Sequence, residues 1–167
     1  MIPETPIAKC LYAIFHMAKG DVEPTSIIWI FYALESIFNC KAGENFSALH
    51  RRICSFFNLT TTDEKRFKTK LRSLYDLRSS LVHGGAEIAH PARNEHIDPR
   101  VDGASWKYVE AQDFGCALII ATLQRLIGLG WTNIRFEESM RGEMLIEEIT
   151  SPPPPPASPA TAPDTSP

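Results

Sequence analysis

The chain has 167 residues, 44% of them hydrophobic and 22% charged, and a formal net charge of −3. Those proportions exclude a disordered chain and fit one ordinary globular domain. No apolar run reaches the roughly 18 residues that a membrane span needs, so no membrane partner is expected.

A first helix is expected over about residues 5 to 19. Its IAKCLYAIFHMAKG is interrupted by Lys9, His16 and Lys19. It also lacks a basic leader and a small-residue cleavage site, so it reads as a helix and not a signal peptide. A second helix starts after Pro24, with Thr25 or Ser26 as its cap, and runs to about Cys40. Ile27, Ile30, Phe31, Leu34, Ile37 and Phe38 follow the helical period closely. A third, about Phe46 to Asn58, is expected to bury Leu49, Ile53, Phe56 and Phe57. TTTDEKRF supplies caps and early acids for a fourth, from about Asp63 to Val82, which Gly84 and Gly85 stop.

Residues 84–106 carry two prolines and no helical period, and read as a long loop of the kind that is usually functional or mobile. A fifth helix is expected from about Val109 to Leu129, with Phe114, Ala117, Leu118, Ala121 and Leu126 facing inward. The segment after it, 131–149, is ambiguous between a short strand and a helical turn. From Ser151 the tail holds eight of the chain's thirteen prolines, a composition that cannot build a core. It reads as a disordered spacer or as a ligand for a protein partner of the SH3 kind. The expected fold is therefore all-α, a bundle of four or five helices over 1–149 with a proline-rich tail over 150–167.

The four cysteines, Cys10, Cys40, Cys54 and Cys116, form no CxxC pair. Reduced core thiols in a cytoplasmic protein are the expectation, with no zinc site and no cofactor. His83, His90 and His96 likewise match no standard zinc spacing. Charge is unevenly spread: from Lys41 to Arg78 nine Lys and Arg stand against four acids, a net +5 on an otherwise acidic chain. Such an island suits a polyanion, with Arg51, Arg52, Lys68, Lys70 and Arg72 as candidate phosphate contacts, or else is a solvated face.

One side chain in the fourth helix breaks its apolar pattern. On a wheel of about 100° per residue with Phe67 at zero, Leu71 falls at about 40°, Leu74 at about 340°, Leu81 at about 320° and Val82 at about 60°. Arg78 falls at about 20°, in the middle of that arc. A guanidinium keeps its charge, and burying it unpaired costs several kcal/mol. Either an acid meets it, with Glu35 at the margin of the second helix as candidate, or the face opens into a cleft or a partner. His83 follows five residues later, about 140° round and about 7.5 Å along the axis. The two side chains converge if Arg78 reaches forward, or if two copies of the helix pair about a two-fold axis, which would make one cleft from two Arg and two His. Such a cleft suits RNA: imidazole exchanges protons with a 2′-hydroxyl or a leaving oxygen, and arginine matches phosphate oxygens, with no metal required.

LYDLRSSLVHGG, with WIFYALESIF and SALHRRICSFF upstream, resembles the Apea-like branch of HEPN domains, over roughly residues 10 to 130. That branch's motif is arginine, four to six residues, then histidine, commonly followed by glycine. The resemblance implies a helical bundle dimerising through the motif helices. It also implies a metal-independent ribonuclease on single-stranded RNA, leaving cyclic phosphate ends, in a toxin or antiviral defence setting. Arg78 and His83 map onto the two catalytic positions, with Glu35, Ser79 and Tyr75 as supporting residues. Ser79 stands where catalytic members often carry Asn, Asp or His. The alternative is an inactive HEPN-like module for dimerisation, sensing, or binding of RNA or nucleotides.

Overall fold

The computed structural model describes residues 4–19, 24–41, 46–86, 99–138 and 144–148. Pro6–Lys19 forms α1, entered through Thr5, whose hydroxyl accepts the Ala8 N–H at 3.2 Å. Proline at the first helical position loses no bond, because that N–H would have no partner in any case. Ser26–Ile37 forms α2 and Phe46–Phe57 forms α3. Thr25 stands at the N-cap of α2, but its side chain makes no capping hydrogen bond. The start is held by backbone instead, Ile27 and Ile28 donating to the carbonyls of Pro24 and Thr25.

Thr61–Val82 forms α4. Thr60 caps it, its hydroxyl accepting the Asp63 N–H and donating to the Asp63 carboxylate at 2.6 Å. At the other end His83 is the C-cap and Gly84 takes φ +72°, a left-handed turn that favours glycine. Gly85 then donates back to the Ser80 carbonyl at 2.8 Å, the six-to-one bond of a Schellman ending.

Pro99–Leu129 forms α5, ten residues longer at its start than the sequence reading allowed. The expected loop is shortened accordingly, and its remaining part, 87–98 with His90 and His96, lies outside the described residues, as does the proline-rich tail. After α5 come strands β1, Ile134–Glu138, and β2, Met144–Glu148. They pair antiparallel with Ile134 opposite Glu148 and Phe136 opposite Ile146, which resolves the ambiguous segment as a hairpin. Among the described residues the architecture is thus an all-α bundle of five helices with one short hairpin attached to it.

The core is built around α2. Ile27, Ile30, Phe31, Ala33, Leu34, Ile37 and the following Phe38 are buried. Leu49, Ile53 and Phe56 of α3 join them, as do Leu71 and Leu74 of α4, Ile119 and Leu126 of α5, and Ile134 of the hairpin. Each large side chain so buried contributes about 1.5–3 kcal/mol. Two inward assignments need correction. Ala117 is exposed and Gly115 is the buried residue, so the core face of α5 is rotated from the expected one. Val82 is 56% exposed, whereas Leu81 beside it still packs against the core.

Gly115 sets how closely α5 meets α2. A Cβ there would stand 2.6 Å from one methyl group of Ile30 and 2.7 Å from another. Gly115→Ala should therefore cost about 1–3 kcal/mol by overpacking. Gly128→Ala, with nothing within 4 Å of its added Cβ, should gain about 0.5–1 kcal/mol from helix entropy alone. Urea unfolding of the two variants checks the opposite signs.

Candidate functional site

Arg78 and Glu35 face each other across the α2–α4 seam. The Arg78 Nη2 lies 3.6 Å from the Glu35 Oε1, and their side chains are 32% and 35% exposed. That separation attracts but is too long for a hydrogen bond, so the contact does not consume the guanidinium fork. The guanidinium carbon sits 5.3 Å from the Phe31 ring centroid and 6.0 Å from that of Tyr75. Tyr75 in turn packs edge-on against Phe31 and Phe46. A cation over aromatic faces is stabilised by their quadrupoles while its planar edge stays open. This is how the sequence seats a permanent charge in an apolar stripe: the aromatic rings receive its flat face, and an acid stands at its rim.

The pair lines a cavity of about 540 Å³ with Lys9 from α1, Tyr32 and Ser36 from α2, and Asn39, Cys40 and Lys41 beyond it. Among the described residues three cations and two acids, Glu4 and Glu35, face this space, a net positive balance suited to a small anion. Burial pushes the Glu35 carboxyl above its ordinary range, and Arg78 pulls it part of the way back.

His83 does not line that cavity. It is exposed, and its backbone N–H donates to the Ser79 carbonyl at 3.0 Å. On the same wheel it falls at about 160°, in line with Arg72 at about 140° and Asp76 at about 180°. Within one chain the motif arginine therefore belongs to the core seam and the motif histidine to the polar outer row. Ser79 is half-buried between them in sequence.

The outer row borders a larger groove of about 870 Å³ between α3 and α4, lined by Phe46, Ser47, Lys68, Thr69, Arg72, Ser73, Asp76 and Leu77. Two of the expected phosphate contacts, Lys68 and Arg72, meet there. Arg72 is braced by Asp76 at 3.0 Å and lies over the Phe46 ring at 5.2 Å. Arg51 and Arg52 do not line this groove. The Arg52 Nη1 donates to the carbonyls of Phe38 at 3.2 Å and Asn39 at 2.9 Å, closing the C-terminal end of α2, and its guanidinium lies over Phe136 of β1. Its position is structural.

Two features escaped the sequence reading. Arg125 of α5 lies over the rings of Phe56 and Phe57, with a buried Nε that has no hydrogen-bond partner. His50, Cys54 and Glu64 come together at the α3–α4 corner. The i, i+4 spacing of His50 and Cys54 was readable, but the arrival of Glu64 from α4 was not. All four cysteines are free of disulfides, and no described helix is long and apolar enough to cross a membrane.

No family model, no curated protein and no solved structure matches this chain.

Because the folded Glu35 carboxyl is raised, its contribution to stability is fully present below the ordinary carboxylate range and is lost as pH rises through the raised value. Glu35→Gln should remove that loss, flattening the stability profile across the mildly acidic range in unfolding titrations at stepped pH. Arg52→Ala should cost about 1.5–3 kcal/mol in urea unfolding, because two helix-end carbonyls lose a charged donor. Arg72→Ala, an exposed i, i+4 partner, should cost about 1 kcal/mol or less in the same measurement.

Proposed function

We propose that this chain is a HEPN-like ribonuclease that cleaves single-stranded RNA without a metal, working as a homodimer in a toxin or antiviral defence setting. The observation that carries this reading is Arg78: a guanidinium one-third exposed, over the Phe31 ring, lining a cavity whose described residues carry a net positive balance. A phosphate entering there would meet a fork already oriented, which is how charge on a phosphorane is stabilised. His83 stands exposed on the same helix, held by the Gly84 turn where little backbone bulk screens it. As the proton carrier it would take a proton from the 2′-hydroxyl as that oxygen attacks phosphorus, then return it to the leaving 5′-oxygen. The products would be a cyclic phosphate and a free 5′-hydroxyl.

One chain keeps the two groups on different faces, so the reading needs a second copy to complete the site. Pairing along α4 would join the arginine of one protomer to the histidine of the other. The exposed large apolar side chains of the described residues lie mostly on α1, α2 and α5, with only Val82 on α4. A dimer through α4 would therefore be polar, and its association would weaken with salt.

A second reading, a module that binds or dimerises without catalysis, is favoured by one observation: the Glu35 carboxylate stands 3.6 Å from Arg78 while His83 lies outside their cavity. The separating experiment incubates single-stranded RNA with the protein in EDTA, beside His83→Ala and Arg78→Ala. Cleavage that falls about 10²–10⁴-fold in His83→Ala supports the nuclease. Partial recovery on mixing the two variants supports a site shared between protomers. Absence of cleavage by the wild type, or equal cleavage by all three, overturns it in favour of the binding module.

A further inference from the structure

We propose that His50, Cys54 and Glu64 form a binding site for a divalent transition-metal ion of the zinc class. The site stands apart from Arg78: Glu64 precedes it by 14 residues, about 21 Å of helix. It therefore does not rest on the ribonuclease reading.

The geometry comes from two helices. His50 and Cys54 are one turn apart on α3, which places them on one face. The Cys54 Sγ lies 3.4 Å from the His50 Nε2. Glu64 arrives from the first turn of α4, fixed by its backbone N–H donating to the Thr60 carbonyl at 2.8 Å. The three donor atoms all lie within 4.8 Å of one another. Around a tetrahedral zinc, with its ordinary bond lengths, neighbouring donors are separated by about 3.3–3.6 Å. The sulfur–nitrogen edge already has that length, and the two carboxylate edges are no longer than 4.8 Å.

The imidazole is held as a ligand would be. It is 4% exposed and lies between the rings of Phe46 and Phe67, nearly parallel to both at 22° and 25°. Imidazole, thiolate and carboxylate together suit zinc or cobalt better than magnesium or calcium, and three protein donors leave a fourth position for water. Cys54 and Glu64 are half-buried, so an ion has a way in.

The same three residues also supply a base, a thiol and an acid, the parts of a cysteine nucleophile. The environment argues against that use. Burial first, then Glu64, push the Cys54 thiol up to about 11, and burial pulls the His50 imidazole down. A buried thiol is a poor nucleophile, whereas an entering ion displaces its proton. As the sulfur–metal bond forms, the S–H proton passes to solvent and nothing is oxidised or reduced. The ion meets a thiolate and a carboxylate, opposed by the one nearby cation that acts on both His50 and Cys54, Lys68.

The test uses the untagged full chain, freed of metal with EDTA and titrated with cobalt(II), then with zinc(II). The expected result is one cobalt per chain with a thiolate charge-transfer band and the intense visible bands of a four-coordinate ion. One proton should be released per ion, and zinc should displace the cobalt completely. Cys54→Ser should abolish the charge-transfer band, and Cys116→Ser should leave it intact. Glu64→Gln, half-buried and away from the core, keeps the test valid should the cysteine variant fail to fold. It should weaken binding by roughly 100-fold or more, beyond the 10–100-fold that loss of an outer hydrogen bond costs. Absence of the band in the wild type, its survival in Cys54→Ser, or unchanged affinity in Glu64→Gln each overturns the proposal.

Discussion

Helix α2 gives water only the side that carries Ile28 and Tyr32, and the other elements are arranged to cover the rest. Seven of its residues from Ser26 to Ile37 are buried, and Phe38 follows them into the core. A helix this apolar must have neighbours on most of its faces. Here α1, α4 and α5 supply them, while α3 and the hairpin close over Phe38 through Phe56 and Phe136. Arg78 owes its position to the same demand. The stripe of α4 that covers Phe31 continues past Leu74, and the next residue of that stripe is a charged one that packs by its flat face. Glu35 sits where α2 turns its only acidic side chain outward, so the pair forms at the edge of the seam and not within it.

Much of this was legible in the residues. The 3.6-residue period of α2 named its core positions correctly because every one of them is apolar. The α4 stripe placed Arg78 against Glu35 because two packed helices expose a limited set of facing positions. What failed has identifiable causes. The first ten residues of α5 were hidden by Asp102, Gly103 and Ser105, poor helix formers, although Pro99 at a first helical position was an available signal. The inward face of α5 was misjudged by about one position because its tightest contact is made by Gly115, and a missing side chain leaves no mark in a hydrophobic pattern. Arg52 was grouped with the other basic residues, and only the folded chain brings it to the open end of α2. His50, Cys54 and Glu64 converge through a corner whose path, with Asn58 at φ +52°, no spacing rule foresees.

The arginine and the histidine that stood out in the sequence end up serving different surfaces. Arg78 opens toward the α1–α2 side, whereas His83 extends the polar row that includes Arg72 and Asp76. A five-residue interval on a helix produces this divergence by geometry alone, and the Schellman turn after His83 fixes it in place. Any chemistry that needs both groups at one phosphate therefore passes through symmetry. This gives the association state of the chain, more than any single side chain, control over whether such chemistry occurs.

The close approach at Gly115 has a consequence for how this sequence can drift over time. Position 115 can accept bulk only if position 30 gives some up, because the space there is shared between a backbone and the branched end of Ile30. The two sites are bound as a couple: a smaller residue on α2 would license a larger one on α5, and neither change is tolerable before the other. Related chains that keep this helix spacing should betray the bond as correlated exchange at two places 85 residues apart in the chain.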